Sequence, residues 1–345
     1  MRVVFLAGGV GGAKLADGLQ QILAPGELTV VVNTGDDLER HSLTVCPDYD
    51  TVLYTLAGIA DPVQGWGVAG ETWQVMGQLG RLGDDIWFRL GDRDLATHLF
   101  RTERLHAGAR PTDAALELSR SLGVPSRILP MADEPVRTRV RTAGGWLDFQ
   151  DYFVRLHQEP EVLEVRFEGA EQASVTLEVR EAIRMAEAIV LGPSNPIVSI
   201  GPILAVPGLL AEIAAARAGG VPGVGISGIV GGKALRGPAD RMMASLGDEP
   251  SALGVARRYV AAGLLDIFMI DRLDAALADP IRALGVEVEV TDTIMSDAGS
   301  RALLAREMLA AAAWAGVEHA GARQGRAGET RARGGDQSRS RGADS

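Results

Sequence analysis

The N-terminal 33 residues constrain the fold of this chain most strongly, because they alternate apolar runs with a glycine turn and a helical pattern. Residues 2–7 and 28–33 are short runs that are apolar almost throughout. The turn Gly8–Gly12 and a predicted helix over 13–23 separate them. Strands without polar alternation are typical of a parallel sheet that is covered on both faces. This order therefore predicts one half of a doubly wound α/β fold.

The same rhythm returns in the second half of the chain, with apolar runs at 188–191, 224–226, 265–270 and 286–290. The segment 126–180 differs, because its short β-rich runs suggest strands on an edge or in a lobe. We therefore expect a mostly parallel, Rossmann-like sheet in a single α/β domain over residues 1–318, with a β-rich and helical insertion at about 126–180. Helices are predicted near 50–57, 73–82, 94–106, 112–122, 207–217, 238–246, 251–262, 274–283 and 300–315.

Composition excludes several classes of function. The 45 acidic residues outnumber the 34 basic ones and give a net charge of −11, which argues against a nucleic-acid partner. One cysteine, Cys46, cannot form an internal disulfide, so the chain is expected to be cytoplasmic. The longest uncharged stretch, 188–211, contains four prolines, so no membrane span is expected. The segment 319–345 has no large apolar residue and is predicted to be a disordered tail.

The glycine turn predicts an anion site. A strand leads through Gly9, Gly11 and Gly12 into a helix that carries Lys14, so backbone N–H groups and the positive helix end face whatever lies above the strand. Lysine occurs only here and at Lys233, which also follows a glycine pair. Replacement of lysine by arginine in a GC-rich genome could explain this distribution, but two ammonium groups near a bound phosphate explain it as well. The turn matches neither a dinucleotide fingerprint nor a P-loop.

Carboxylates follow the second strand and precede the next helix. Asp36 and Asp37 end the run that contains Asn33, and Asp48 and Asp50 come shortly afterwards. In a doubly wound sheet the ligand lies outside the carboxyl ends of the strands, so these groups are expected to converge on the glycine turn. Phosphates beside carboxylates repel unless a cation lies between them, and Mg²⁺ is the usual one.

Two further loops supply polar groups at strand ends. The first holds Ser194 and Asn195 between two prolines and is suited to a nucleobase or a ribose. The second holds Lys233 and Arg236 among glycines. One phosphate-rich ligand explains three such loops more simply than three unrelated turns. For Asp92 and Asp94, which open a predicted helix, N-capping is the favoured interpretation.

The histidines and serines do not indicate a zinc site or a covalent mechanism. The five histidines lack metal-ligand spacing, and no G-x-S-x-G nucleophile elbow occurs in the chain. Direct transfer without a covalent enzyme intermediate is therefore favoured.

The combination of these blocks closely resembles the 2-phospho-L-lactate transferase family, whose members make the deazaflavin coenzyme F-420. The resemblance runs in order from residue 1 to about 315. It rests on the segments Gly8–Lys14, Val31–Asp37, Pro47–Tyr54, Leu90–His98, Ile128–Met131, Phe149–Phe153, Gly192–Pro196 and Ser199–Ile203. The family often has Ser-Asp-Asp after the Leu-Pro-Met run, and this chain departs from that pattern with Ala132-Asp133-Glu134.

The resemblance implies a definite reaction. Such enzymes transfer a phospho-three-carbon acid, lactyl in archaeal and enolpyruvyl in bacterial members, from a guanosine diphospho-linked donor to 7,8-didemethyl-8-hydroxy-5-deazariboflavin. They release GMP, use Mg²⁺ and tend to be homodimers. The family's acceptor-contacting acid and base match Asp50 and Arg89, and Asp50 is the expected catalytic group. The expected metal ligands are Asp36, Asp37 and Asp50, and the expected nucleotide and phosphate contacts are Gly9, Gly11, Gly12, Lys14, Asn33, Ser194, Asn195 and Lys233.

Two other classes share parts of this pattern. Gluconeogenesis-factor-like proteins have a similar glycine-rich opening and second loop, and they imply a nucleotide-sugar-binding regulator instead of an enzyme. The segments Leu90–Asp94 and Phe149–Phe153 favour the transferase. A nicotinamide oxidoreductase would need a third fingerprint glycine, where this chain has Lys14.

Overall fold

The computed structural model describes residues 1–336, with side chains as far as Val317. In chain order the strands are β1 Val3–Ala7, β2 Leu28–Val32, β3 Leu38–Arg40, β4 Leu43–Val45, β5 Arg127–Pro130, β6 Arg137–Thr142, β7 Gly145–Asp148, β8 Glu164–Glu168, β9 Ala188–Leu191, β10 Gly223–Ile226, β11 Ile229–Val230, β12 Lys233–Ala234, β13 Ile267–Asp271 and β14 Glu287–Thr291. The helices are α1 Gly9–Ile22, α2 Pro47–Leu56, α3 Gln74–Arg81, α4 Asp92–His106, α5 Pro111–Ser121, α6 Leu177–Met185, α7 Ile200–Ala205, α8 Leu209–Ala218, α9 Ala239–Ser245, α10 Ala252–Ala261, α11 Ala278–Arg282 and α12 Ala298–Asp336.

The main sheet has seven strands in the order β14-β13-β10-β9-β1-β2-β5. Every pairing within it is parallel, and β1 lies between β2 and β9, with Val3 opposite both Leu28 and Ala188. The strand order reverses at β1, because the chain builds the sheet in one direction to β5 and then in the other from β9. The predicted doubly wound, Rossmann-like α/β fold is confirmed. Its carboxyl strand ends therefore share one edge, where ligands of such sheets bind.

Both faces of the sheet are buried, as the uniformly apolar strands predicted. Phe5 and Val30 point into the core cluster that contains α1, α2 and α12, whereas Leu6 and Val31 point into the second cluster, which contains α8, α10 and the insertion. Alternate residues of one strand face opposite sides of a sheet, so each strand contributes to both clusters.

The middle of the chain forms a separate three-stranded antiparallel sheet in the order β7-β6-β8. It packs against the main fold through Val140 and Phe149. The predicted start of the insertion at 126 differs from this, because β5 is the edge strand of the main sheet and only the strands from Arg137 to Glu168 form the added sheet. The backbone N–H of Thr138 in β6 donates to the carbonyl of Gly35 at 2.7 Å, which ties the added sheet to the loop after β2.

Most predicted helices agree with the structure to within about three residues. Sequence reasoning missed α6 and α7, which lie where short β-rich runs and prolines hid the helical pattern. Helix α12 continues to Asp336, whereas the predicted last helix ended at 315. The prediction of a disordered tail over 319–345 concerns residues without described side chains, and 337–345 lie outside the described residues. Within the described chain, no helix combines the length and the apolarity that crossing a bilayer requires.

Candidate active site at the strand ends

The glycine turn after β1 is shaped around a carboxylate of the protein itself. Gly9 has a φ of +65°, which glycine adopts without strain. Its backbone N–H donates to the carboxylate of Asp48, and a side chain on Gly8 would collide with that same carboxylate. In this structure the carboxylate of Asp48, in the first turn of α2, therefore lies where an anion was expected at the glycine turn.

The other side of the turn packs against the loop after β9. A Cβ on Gly11 would lie 2.9 Å from the carbonyl oxygen of Pro193, and one on Gly228 would lie 2.6 Å from the same oxygen. The Ser194 hydroxyl accepts from the Gly8 N–H at 3.1 Å and donates to the Gly8 carbonyl at 2.8 Å. Glycine is therefore required here for close packing of three strand-end loops, independently of any ligand.

Asn33 at the end of β2 joins three of these segments. Its amide donates to Asp48 Oδ2 at 2.9 Å and to the Val198 carbonyl at 3.2 Å, and its Oδ1 accepts from the Gly35 N–H at 2.8 Å. Asn33 is fully buried. In this structure it holds the site together, and a direct contact with a nucleotide stays a prediction.

Asp36, Asp37 and Asp48 form a buried acidic cluster. The Oδ1 atoms of Asp36 and Asp37 have no hydrogen-bond partner in the described part of the chain. Burial, followed by the charge of Asp48, raises the pKa of Asp36 well above its usual range. Burial also raises the pKa of Asp37 to about 7, although Arg137 partly opposes this, and that of Asp48 to about 6. Buried carboxylates without a compensating cation are expensive, so this cluster is suited to bind one.

A cleft of about 470 Å³ opens beside Asp36 and Asp37. The loop after β2, the segment 148–151 of the insertion and Trp87 form its walls. The guanidinium groups of Arg40 and Arg155 lie 5.8 and 5.7 Å from the centre of the Trp87 ring. The two acids therefore line the wall of a cleft large enough to admit part of a small ligand.

Asp50 lies in a different environment, because a buried cation compensates it. The Arg101 guanidinium makes a two-pronged contact with its carboxylate, with Nη1 3.1 Å from Oδ2. His98 lies between Asp50 and Asp94, with Nδ1 3.6 Å from Asp50 Oδ2 and Nε2 3.2 Å from Asp94 Oδ1. The Tyr54 hydroxyl donates to Asp94 Oδ1 at 2.6 Å.

The electrostatics of this paired network are opposite to those of the acidic cluster. Burial alone would raise the pKa of Asp94, but hydrogen bonding and charge from His98 outweigh it and lower that pKa. Asp50 raises the pKa of Arg101 despite burial of the guanidinium. Ligand atoms of Asp50, Asp94 and His98 lie within 4.8 Å of one another and could hold a metal ion. Arg101 already occupies Asp50, however, and Mg²⁺ prefers an all-oxygen ligand set.

Arg89 is exposed and lies on the face of Trp73, with its Cζ 4.1 Å from the ring centre. Among the described residues it forms no ion pair with the acidic cluster or with Asp50. The structure therefore brings Asp36, Asp37, Asp48 and the glycine turn together, with Asp50 nearby, whereas the contact that it shows for Arg89 is with Trp73.

Two carboxylates fix the segment that carries Arg89. Asp92 accepts from the backbone N–H groups of Gln74 and Val75 at 3.0 and 3.1 Å and so caps α3. Glu71 accepts in turn from the N–H groups of Arg93 and Asp94, both at 2.8 Å, and caps α4. We call this pair of contacts the reciprocal cap. Asp92 does cap a helix, as expected, but it caps α3 instead of α4, the helix that it begins.

The two lysines lie in different surroundings. The Lys14 ammonium donates to the Met295 carbonyl at 3.1 Å and is partly buried. Lys233 opens β12 in a hairpin whose two-residue turn, Gly231 and Gly232, has φ values of +58° and +75°. These angles match a type I′ turn, which explains the glycine pair without a phosphate. The Lys233 side chain is 82% exposed, and its ammonium lies 3.6 Å from Asp240.

Asn195 is occupied within its own loop, where Oδ1 accepts from the N–H groups of Ile197 and Val198 at 2.9 and 3.3 Å. Asp133 and Glu134, where the chain departs from the family pattern, bind Thr112 and Ser174 respectively. Contacts of Ser194, Asn195, Lys233 and Arg89 with a ligand stay predictions.

For two residues that the structure makes central, sequence reasoning missed the contact or the residue itself. Asp48 was expected among the converging carboxylates, but its contact with the glycine turn depends on the path between β2 and α2. Arg101 lies one turn beyond His98 on α4 and gave no signal among the 32 arginines of the chain. A buried arginine beside the first turn of α2 is visible only in three dimensions.

A parallel sheet with buried carboxylates and a glycine turn at its strand ends defines an α/β protein with a polar site at the switch point of its sheet, and sequence comparison identifies it as a transferase. The chain matches the family described as 2-phospho-L-lactate transferase CofD over residues 3–302, and it belongs to that family of transferases. It is 45% identical over 315 residues to a phosphoenolpyruvate transferase of Streptomyces griseus subsp. griseus, covering 90% of this chain and 98% of that protein.

An archaeal relative agrees with this assignment, and a solved structure agrees with the fold. A 2-phospho-L-lactate transferase of Methanosarcina mazei is 39% identical over 294 residues, which cover 85% of this chain and 95% of that protein. A crystal structure of a UPF0052-family protein from Bacillus halodurans superposes with a TM-score of 0.59 at 15% identity, covering 89% of this chain and 98% of that one. At this identity the superposition supports the fold alone.

Proposed function

We propose that this protein transfers a phosphoenolpyruvyl or 2-phospholactyl group from a guanosine diphospho-linked donor to the hydroxyl of 7,8-didemethyl-8-hydroxy-5-deazariboflavin. GMP is the leaving product, and the reaction is a step of coenzyme F-420 biosynthesis. The observation that carries this proposal is the acidic cluster at the strand ends, where two buried carboxylate oxygens lack partners beside a glycine turn. Membership in the CofD family and relatives named for both transferase activities support it.

The acidic cluster fits Mg²⁺. Asp36, Asp37 and Asp48 supply only oxygen ligands, which Mg²⁺ prefers as a hard cation. Two of these oxygens have no hydrogen-bond partner and are therefore available to a cation. Asp50 was expected to join them as a ligand, and with one side of its carboxylate on Arg101 it retains lone pairs for a further contact. Bound Mg²⁺ would neutralise charge on the transferred phosphate.

The chain's own residues supply binding and orientation. The glycine turn and Lys14 offer N–H donors to the donor phosphates. Arg101 fixes the Asp50 carboxylate, which in our proposal accepts a hydrogen bond from the acceptor hydroxyl and orients it for attack. Arg89, held flat on Trp73, offers a planar cationic surface to the acceptor. Transfer through a loose transition state needs mainly such positioning and charge neutralisation.

The reaction is tested by incubating the purified protein with the deazaflavin acceptor, Mg²⁺ and each guanosine donor in turn. We expect mass spectrometry to show the acceptor enlarged by the phospho-acid group, together with GMP. The donor that reacts identifies the three-carbon acid. Failure with every donor, in a preparation that binds GDP, would contradict the proposed transferase reaction.

The role of Asp50 is tested by Asp50→Asn, with Asp50→Glu as the charge-preserving control. A positioned general base contributes about 10²–10⁴-fold, so we expect kcat to fall by about that factor in Asp50→Asn. An unchanged kcat with the deazaflavin would exclude the catalytic role. We also propose that the enzyme acts in the cytoplasm as a homodimer, and light scattering of the full chain tests the dimer.

A further inference from the structure

Arg236, which the sequence placed with Lys233 in the third strand-end loop without a role of its own, lies next to the glycine turn. Arg236 follows the hairpin that carries Lys233, and its Nη1 donates to the carbonyl of Gln64 at 2.9 Å. Gly65, the next residue, lies between this guanidinium and the turn. A Cβ on Gly65 would be 3.0 Å from Val10 Cγ1 and 3.8 Å from Arg236 Nη1. The guanidinium is therefore anchored by one N–H beside Val10, and it is exposed to solvent.

Lys14 is a second cation near Arg236. Its ammonium is fixed by the Met295 carbonyl, and partial burial, then Arg301, then Arg236 lower its pKa. The Arg301 guanidinium is neutralised by Asp17, with Nη1 3.0 Å from Oδ2. Within the described part of the chain, Lys14 and Arg236 remain as two neighbouring cations whose side chains donate hydrogen bonds to backbone carbonyls.

Two neighbouring like charges repel each other, and a bound anion would replace that repulsion by attraction to both. The protein as a whole has a net charge of −11, so this local excess of cations stands out. Arginine presents a planar fork and lysine a compact point charge, a combination that suits phosphate oxygens. Lys233, the other cation of the loop, is already paired with Asp240 and exposed.

We propose that Lys14 and Arg236 form a subsite for a phosphate group of the nucleotide-linked donor. This inference rests on the proposed function for the identity of the ligand. The subsite borders the glycine turn at Val10, whereas Asp48 borders it at Gly8 and Gly9. The two ends of the turn therefore differ in charge, and the diphosphate binds in one direction, with one phosphate on the cations and the other beside the acidic cluster.

The experiment measures equilibrium binding of GDP, GMP and guanosine by calorimetry to the full chain. We compare Arg236→Ala, Arg236→Lys and Lys14→Met with wild type, and Arg272→Ala is the control, because Arg272 forms an exposed ion pair with Asp292. Because each substitution removes a hydrogen bond to a charged phosphate, we expect Arg236→Ala and Lys14→Met each to weaken GDP binding about ten-fold or more. Guanosine affinity should stay unchanged in both, and Arg236→Lys should recover part of the loss.

Three results would overturn the subsite. The first is GDP binding to Arg236→Ala with wild-type affinity. The second is a loss of guanosine affinity as large as the loss of GDP affinity. The third is a larger loss of GDP affinity in Lys233→Ala than in Arg236→Ala. Circular dichroism and melting temperatures confirm that each variant is folded. The proposed reaction fails separately: a wild type that binds GDP through Arg236 but transfers nothing to the deazaflavin keeps the subsite and loses the reaction.

Discussion

Two sets of buried carboxylates lie within about fifteen residues of each other in the sequence, and the structure treats them in opposite ways. Asp36, Asp37 and Asp48 have no cationic ion-pair partner among the described residues, Asp36 and Asp37 each have one oxygen without a hydrogen-bond partner, and the pKa values of all three are raised. Asp50 is equally buried but holds Arg101. The difference shows that burial alone does not mark a carboxylate as a cation ligand. The absence of a cationic partner does, because only the unpaired carboxylates gain from binding a cation.

The Arg101 contact fixes the Asp50 carboxylate, whereas the unpaired carboxylates are costly to bury in their ionised form, and a bound cation would reduce that cost. Unpaired carboxyl groups with perturbed pKa values cluster at functional sites. Buried ion pairs such as that of Asp50 and Arg101 also occur in structural networks. Both sets contact the start of α2, so a change in one is expected to be felt in the other.

The largest effect is expected from removing the buried cation. Arg101→Met leaves the Asp50 carboxylate buried without its partner. This typically lowers the free energy of unfolding by about 3–5 kcal/mol. Urea denaturation measures this loss. The matched control is the double variant Arg101→Met with Asp50→Asn, in which both charges of the pair are removed together. It should recover much of the stability, and a single variant that loses less than about 1 kcal/mol would show that the pair is not compensating a buried charge.

The second effect concerns pH and tests the unpaired set. Burial raises the pKa of Asp37 to about 7 and that of Asp48 to about 6, from 3.8 in the unfolded chain. Between these values the folded state binds more protons than the unfolded state, so these two groups lower stability as pH rises toward 7. We expect Mg²⁺ to raise the melting temperature more at about pH 8 than at about pH 5, because the ionised cluster binds it.

Scanning calorimetry of wild type and Asp37→Asn with and without Mg²⁺ makes this measurement. Other carboxyl groups, such as Asp94, have lowered pKa values and act in the opposite direction, so the difference between the two proteins is the relevant quantity. Asp37→Asn should lose part of the fall in stability with pH and most of the Mg²⁺ response. An equal Mg²⁺ response in both proteins would place the cation elsewhere, for instance at Asp50, Asp94 and His98.

The smallest effect is expected at the reciprocal cap, where exposed carboxylates are satisfied by backbone donors. Hydrogen bonds from Thr72, Gln74 and Val75 lower the pKa of Asp92, so this acid stays ionised. Asp92→Ala removes the acceptor of two N–H groups at the start of α3 and loosens the segment that holds Trp73 under Arg89.

We therefore expect Asp92→Ala to raise the KM for the deazaflavin several-fold with little change in the KM for the donor. Steady-state kinetics at varied acceptor concentration measures this. Asp92→Asn, which keeps an acceptor oxygen, is the matched control and should be milder. An equal rise of both KM values would mean that the cap acts on general stability instead of on Arg89.

The sheet was predictable because its strands are apolar throughout and its turns are rich in glycine. The runs at 2–7 and 188–191 specify buried parallel strands directly, and β9 lies beside β1 as a consequence of the doubly wound order. Helix α6 was hidden by Val175 and Val179 in a β-rich neighbourhood, and α12 extends beyond the last strongly apolar residues of the sequence. Local propensity decides such segments poorly, since tertiary packing overrides it.

The site was predictable in its chemistry but not in its partners. Convergence of Asp36, Asp37 and Asp48 follows from parallel strand ends, which the sequence specifies. The pairing of Asp50 with Arg101 does not, because it depends on how α4 packs across α2. The glycines at 231–232 show a related limit, because a hairpin turn and a phosphate loop require the same residue and the sequence does not distinguish them.

The carbonyl oxygen of Pro193 has a consequence for how such an enzyme can change over time. Gly11 and Gly228 approach it from two sides, one from each half of the sheet. An alanine at either position would push the halves apart, and no change at the other position could relieve that pressure. Laboratory evolution of new donor preference should therefore leave these two positions untouched and accumulate its substitutions in the insertion and around Trp87.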